Sequence, residues 1–297
     1  MLGQYTAGPS SARTAFKYIL KIDLIDFYRQ WLLVLHEYGA RYEIVDFTTG
    51  DFLRISNLEK IDSVLAGDRK TTYSDKEIRY VIENNHFCYQ AIKLPNGQLT
   101  AGQDRSQSRD IIFYTYIKDV KGKSLLDVGC SYGYFSFEAE KRGAARVLAI
   151  EADESAYLGC NILKEIFGSK IEIMHKDIFC ESFEEKFDII LLLNVLHDLK
   201  EPMRALRKLA DLCNQTLIIE FRTITDIKFQ STLGNQEIPI DNTLPLIGVG
   251  NTTNWSFFYF SEEALRRLLV TRDKLFSSVE FAQSPMSPYR KIAVCRK

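Results

Sequence analysis

The segment Ser124–Glu151, SLLDVGCSYGYFSFEAEKRGAARVLAIE, constrains this chain more than any other stretch. It reads as a buried strand Ser124–Val128, a Gly-x-x-x-Gly turn from Gly129 to Gly133, a helix, and a second strand ending on an acid, Glu151. A strand that opens through glycines onto a helix N-terminus lets a nucleoside approach the backbone. An acid about 20 residues after such a turn is the usual partner of a ribose hydroxyl pair. The spacing is not the G-x-G-x-x-G that wraps a pyrophosphate. Cys130, Ser131 and Tyr132 fill the gap, so the loop is wider and less adapted to anions. It suits a nucleoside carrying a zwitterionic amino-acid tail, and a nicotinamide-dependent dehydrogenase is the outsider.

Beyond Ser124 strands and helices alternate. Strand Arg146–Glu151 precedes helix Glu154–Phe167. Strand Ile171–Met174 follows, then strand Phe187–Leu193, helix Pro202–Leu212 and strand Thr216–Phe221. Such alternation demands a parallel sheet covered on both faces. The run DIILLL, Asp188–Leu193, is apolar without alternation, as a central strand of such a sheet requires. Val279–Gln283 and Lys291–Cys295 read as two last strands, antiparallel to one another. Tyr259–Leu269 reads as a helix capped by Ser261. Arg222–Thr253 is polar and irregular, and loops of that length commonly carry function.

Upstream, Thr14–Glu37 carries apolar residues at helical spacing, and Leu58–Ala66 and Ser74–Glu83 read as shorter helices. Tyr42–Phe52 reads as a strand pair or loop. Cys88–Leu94 and Gln98–Ala101 flank Pro95-Asn96-Gly97 as a hairpin, and Ser108–Tyr116 reads as a helix. The division expected is a mainly helical extension, residues 1–75, serving as a cap or for homo-oligomerisation, ahead of a larger domain, 76–297.

With 297 residues and 46% hydrophobic content, the chain can bury a real core. Its net charge of −1 offers no bulk argument for nucleic acid. Six cysteines are scattered without C-x-x-C pairs, and no Cys/His group has zinc spacing, so buried free thiols in a reducing compartment and no metal are expected. No apolar run reaches the roughly 18 residues of a membrane span, and Met1–Arg13 does not resemble a signal peptide. A cytoplasmic protein without a membrane partner is the expectation.

Chemistry-bearing residues gather at the strand ends. Asp127 closes the first strand and can bond the glycine loop or a ligand amine. Glu151, with Ala152 beside it, offers a carboxylate for a diol. Asp177 accepts either from an exocyclic amine or from a helix cap, with the Ile178 N–H beside it. Asn194 lies at the carboxyl edge of the central strand, where open α/β sheets bind ligands. His197 follows, either a proton acceptor near neutral pH or a packing residue. Glu220, Arg222, Trp255, Tyr259 and Arg290 are expected walls of an acceptor pocket. The aromatic cluster Trp255, Phe257, Phe258, Tyr259 is either core or a lid.

On Leu126-Asp127-Val128-Gly129-Cys130-Ser131-Tyr132-Gly133, Glu151, Asp177 and Asp188–Asn194, the chain resembles the class I S-adenosylmethionine-dependent methyltransferases over about Lys121–Phe221. CYQAIKLPNGQLTAGQDRS, NVLHDLKEP, NWSFFYFSEEALRRLL and the terminal YRKIAVCRK extend the likeness, over Phe87–Lys297, to the group of the tRNA wobble-uridine carboxymethyltransferases and related small-molecule enzymes. The resemblance implies a Rossmann-like seven-stranded sheet and S-adenosylmethionine as cofactor. Asp127, Gly129 and Gly133 would hold the methionine part, Glu151 the ribose, and Asp177 with Ile178 the adenine, with Cys130, Ser131 and Ala152 also at the cofactor. Arg105 would close over the cofactor, and Asn194 would border it. Arg290 matches a basic position that meets an extra carboxylate on the cofactor of the tRNA enzymes. Their tyrosine after the fourth strand is His197 here, and their upstream lysine has no counterpart. Both departures favour plain S-adenosylmethionine. The leading expectation is methyl transfer to a small molecule such as a sugar or biosynthetic intermediate. tRNA modification through a basic N-terminal groove is second, and a non-catalytic cofactor-binding module third.

Overall fold

The computed structural model describes residues 41–47, 50–56, 73–84, 89–102, 110–117, 119–179, 183, 185–233, 241–250 and 258–297. The chain divides into two compact units, 1–87 with 95–98, and 88–94 with 99–297. The first unit holds an antiparallel hairpin, β1 (Arg41–Phe47) and β2 (Gly50–Ser56), with Phe47 opposite Gly50, and a helix, α1 (Asp75–Asn84). The helices expected at Thr14–Glu37 and Leu58–Ala66 lie outside the described residues.

The second unit is built on a seven-stranded sheet. Its strands in chain order are β3 (Ser124–Val128), β4 (Arg146–Glu151), β5 (Glu172–His175), β6 (Phe187–Leu193), β7 (Cys213–Arg222), β10 (Ser278–Gln283) and β11 (Arg290–Arg296). A separate pair, β8 (Ile247–Val249) and β9 (Phe258–Phe260), is antiparallel. Across the sheet the order is β10-β11-β7-β6-β3-β4-β5. β3 to β7 run parallel, and β11 is antiparallel to both of its neighbours. The apolar run of β6 is buried along almost its whole length, because strands on both sides and helices above and below exclude water from it. Each such Leu or Ile contributes about 1.5–3 kcal/mol when fully buried.

Helices α2 (Tyr134–Lys141), α3 (Glu154–Phe167) and α4 (Pro202–Leu212) connect the parallel strands. Their ends follow local chemistry. Asp153 caps α3 by accepting from the Ala156 N–H, Gly168 ends it in the left-handed region, and Pro202 opens α4 where no N–H is needed. The chain winds outward from β3 to β5, then returns across to β6. The turns after β3 and β6 therefore diverge, and the crevice between them is where such sheets admit ligands.

Several boundaries differ from expectation. Tyr259 and Phe260 belong to β9, and the helix starts only at Glu262, where Ser261 Oγ accepts from the Ala264 N–H. The helix expected at Ser108–Tyr116 is helical in its described part, with a π-helical segment at Ile112–Ile117. Among the described residues, 89–94 form bridges rather than a strand: one joins Lys93 and Leu99, and the Thr100 hydroxyl donates to Gln90 O and accepts from the Ile92 N–H. Within Arg222–Thr253, the described residues include a short helix, α5 (Ile227–Gln230), and β8. No helix among the described residues is long and apolar enough to cross a membrane. The described cysteines Cys130, Cys160, Cys213 and Cys295 are free and buried.

Candidate active site

The glycine loop leaves β3 in a conformation that needs its glycines. Gly129 and Gly133 have φ of +70° and +83°, and Ser131 between them also has a positive φ, +53°. A Cβ at Gly129 would lie 2.5 Å from Val195 Cγ2, and one at Gly133 would lie 2.6 Å from Cys160 Sγ. The sequence reading reserved that space for a ligand. The protein's own side chains fill it: the loop is pressed onto the turn after β6 on one side and onto α3 on the other.

Glu151 fastens the loop. Its Oε2 accepts from the Ser131 N–H at 2.7 Å, and its Oε1 accepts from the Ala152 and Asp153 N–H groups at 2.9 Å each. A carboxylate offers about four lone-pair sites, so one remains after these bonds. The Gly129 and Cys130 N–H groups both donate to Ile150 O, which ties the loop to β4 a second time. Asp127 is 2% exposed and accepts from the Ser136 hydroxyl on α2 at 2.7 Å. Both acids bear on the loop's thiol. A hydrogen bond with Cys160, then burial, then the charges of Asp127 and Glu151 push the Cys130 pKa well above the usual thiol range.

Further along the edge, Asp177 is exposed and its Oδ1 caps the local turn by accepting from the Phe179 N–H at 2.9 Å. The Ile178 side chain is buried, and its carbonyl accepts from Lys208 Nζ. His175 stacks on Tyr157, with ring centroids 4.9 Å apart, and its Nε2 lies 3.2 Å from Ala152 O.

Asn194, just past β6, adopts φ +66°. Its Nδ2 donates to Tyr89 Oη at 2.6 Å and its N–H to Glu220 O, whereas its buried Oδ1 has no partner. His197 sits on the 3-10 turn Leu196–Asp198, packed against β7 and β9, and is 1% exposed. Its Nδ1 has no partner and its Nε2 is 3.8 Å from Asp198 Oδ2, beyond hydrogen-bond reach. Burial, then the positive charges of Arg290 and Arg222, hold its pKa well below the usual histidine range.

Arg222 and Arg290 are directly opposite one another on β7 and β11. Arg222 Nη1 reaches Asp226 Oδ2 at 2.7 Å, while its buried Nε has no partner. Glu220 is buried and accepts from the Ser284 hydroxyl. Tyr259, expected on the acceptor pocket wall, is packed instead: it is 2% exposed and stacked on Phe229, with ring centroids 5.1 Å apart. An aromatic side chain between α5 and β9 has more apolar area to bury there than at a polar rim. Arg105 and Trp255 lie outside the described residues.

Sequence reasoning missed Tyr89, Val195, Ser136 and Asp226. Only Asp226 carried a local signal, four residues after Arg222 and itself the N-cap of α5. The others reach the site by tertiary packing.

A family described as a methyltransferase domain matches residues 103–273. Among curated proteins, the tRNA U34 carboxymethyltransferase of Desulfotalea psychrophila is 32% identical over 117 residues, 37% of this chain and 35% of that protein. The ribosomal protein L11 methyltransferase of Caldicellulosiruptor bescii is 30% identical over 140 residues, 47% of this chain and 43% of that protein. The chain thus spans less than half the length of these relatives. Among solved structures, the N-terminal domain of EvdMO1 with SAH bound aligns with a TM-score of 0.54 at 14% identity, covering 76% of this chain and 98% of that one. This last likeness concerns the fold.

Proposed function

The chain belongs to the methyltransferase-domain family, and from that premise we propose that it moves a methyl group from S-adenosylmethionine to a small-molecule acceptor. The observation that carries this reading is the pair of acids at the glycine loop. Glu151 clamps the loop from outside and Asp127 lies beneath it. Two carboxylates there repel a pyrophosphate and favour a ligand with an ammonium group and a diol.

The residues present fit that cofactor. The unpartnered Oδ1 of Asn194 and the backbone around Gly129, Cys130, Ser131 and Gly133 would meet the amino-acid end, with Asp127 supplying negative potential. Glu151, using its remaining lone pair, and Ala152 would meet the ribose. Asp177 and Ile178 would border the adenine, and Arg105 would close over it. When bound, S-adenosylmethionine supplies a methyl carbon that accepts the acceptor's lone pair as its bond to sulfur breaks, leaving S-adenosylhomocysteine. The chain's own work is alignment, exclusion of water and removal of a proton. Alignment alone is worth about 7–11 kcal/mol in favourable systems. His197, held neutral with Nδ1 free, would take the acceptor's proton, and Glu220, Arg222, Trp255 and Arg290 would form the acceptor side. Residues 1–75 would serve as cap or oligomerisation segment. Calorimetric titration with S-adenosylhomocysteine tests the reading; no heat above dilution at millimolar ligand overturns it.

A second reading is tRNA modification, supported by the name of the Desulfotalea psychrophila relative above. It predicts retention of tRNA that weakens steeply with salt. Absence of retention at about 50 mM salt removes it.

A further inference from the structure

Arg222 and Arg290 form a cross-strand pair of like charges, an arrangement that costs stability on neighbouring strands. The turn packed on β7 carries a buried imidazole with a free nitrogen, within electrostatic reach of both arginines. Asp226 answers the Arg222 charge through Nη1 but leaves its Nε, also buried, without a partner. Arg222 ends β7, Arg290 is its partner on β11, and His197 follows β6, at the same sheet edge as the turn after β3. We propose that this cluster is an oxyanion subsite for the methyl acceptor: an acidic small molecule whose carboxylate or phosphate bridges Arg222 and Arg290 while its nucleophilic hydroxyl or amine donates to His197 Nδ1.

The proposal rests on the methyltransferase reading and names the substrate class it would take. Its physical basis is complementarity. A guanidinium fork pairs two oxygens of a planar or tetrahedral oxyanion at once, and two forks opposite each other on adjacent strands can take one anion between them. A third positive charge would be out of place in the same cluster. Burial first, and the two guanidinium charges second, keep His197 as a neutral acceptor for the nucleophile's proton, which passes on to solvent after transfer. Arg290 already has an interaction in the fold, so the anion joins an existing contact rather than filling an empty one.

Two titrations on the full chain separate this proposal from the reading beneath it. S-adenosylhomocysteine tests the cofactor site alone. Inorganic phosphate and sulfate, titrated with and without S-adenosylhomocysteine, test the subsite. The expected result is saturable anion binding to the wild type, weakened about tenfold or more in Arg222→Gln and in Arg290→Gln. Arg222→Lys, which keeps the charge and loses the fork, should fall between. S-adenosylhomocysteine affinity should change less than about threefold in each variant. Circular dichroism identifies any variant that fails to fold; Arg222→Lys then carries the comparison. No anion binding by the wild type, or equal binding by the glutamine variants, overturns the proposal. So does tighter binding of a carboxylated S-adenosylmethionine that is lost in Arg290→Gln, because the guanidiniums then serve the cofactor.

Discussion

At the scale of single residues, Gly129 and His197 allow the sharpest tests. Gly129 is required twice over, by its φ of +70° and by the 2.5 Å approach of Val195 to any Cβ. Gly129→Ala should therefore destabilise the protein by about 1–3 kcal/mol, by urea denaturation, as well as weaken cofactor binding. A variant that loses affinity with unchanged stability would mean the loop does not press on Val195. His197 makes a pH prediction. Its folded pKa is depressed, so the unfolded chain binds more protons below about pH 6.5. Stability is complete above that value and declines as pH falls toward the folded pKa, by at most about 1.4 kcal/mol per pH unit. His197→Gln should flatten the dependence of the denaturation midpoint between about pH 6.5 and 5. An unchanged slope would show that the imidazole titrates normally.

Among elements, the informative contact is between the turn after β3 and the end of β4. Glu151 was legible as an acid at the right place, but its bonds to Ser131, Ala152 and Asp153 were not, since they depend on how the two turns meet. Glu151→Ala leaves the Ser131 N–H without its acceptor. The expected result is a loss of about 1–3 kcal/mol in urea denaturation together with lost S-adenosylhomocysteine affinity, read by calorimetry on the folded fraction. Full stability would reduce Glu151 to a ligand contact. The segment before the sheet is held in another way that no periodicity reveals. The Arg142 guanidinium, just past α2, lies over the rings of both Phe113 and Tyr114, 4.8 and 4.6 Å from their centroids. The π-helical segment Ile112–Ile117 is held through those contacts, and Tyr134 Oη bonds Asp110 just before it.

For the molecule as a whole, ligand binding and folding are linked. S-adenosylhomocysteine at a concentration about 100 times its dissociation constant should stabilise the folded state by about 2.7 kcal/mol, visible as a rise in melting temperature. No rise, with binding seen by calorimetry, would mean that the unfolded chain binds equally well.

The strands of the parallel sheet were readable from the chain alone because burial on both faces demands continuous apolar runs such as DIILLL, and because Gly129 and Gly133 mark a turn that other residues adopt poorly. Local chemistry also set the caps at Asp153, Ser261 and Pro202. What packs beside those glycines, where Tyr259 goes, why His197 stays uncharged and which arginines face each other were decided only in three dimensions. These properties depend on the distance between residues far apart in the chain. The chain alone leaves Tyr259 open between core and lid; the pairing of β9 with β8 and the stacking of its ring on Phe229 place it in the core. Arg222 and Arg290 are separated by most of the C-terminal third of the chain and meet because β11 enters the sheet antiparallel beside β7. Sequence specifies each element's own periodicity; electrostatics and close packing act across space, and only the folded sheet brings their sources together.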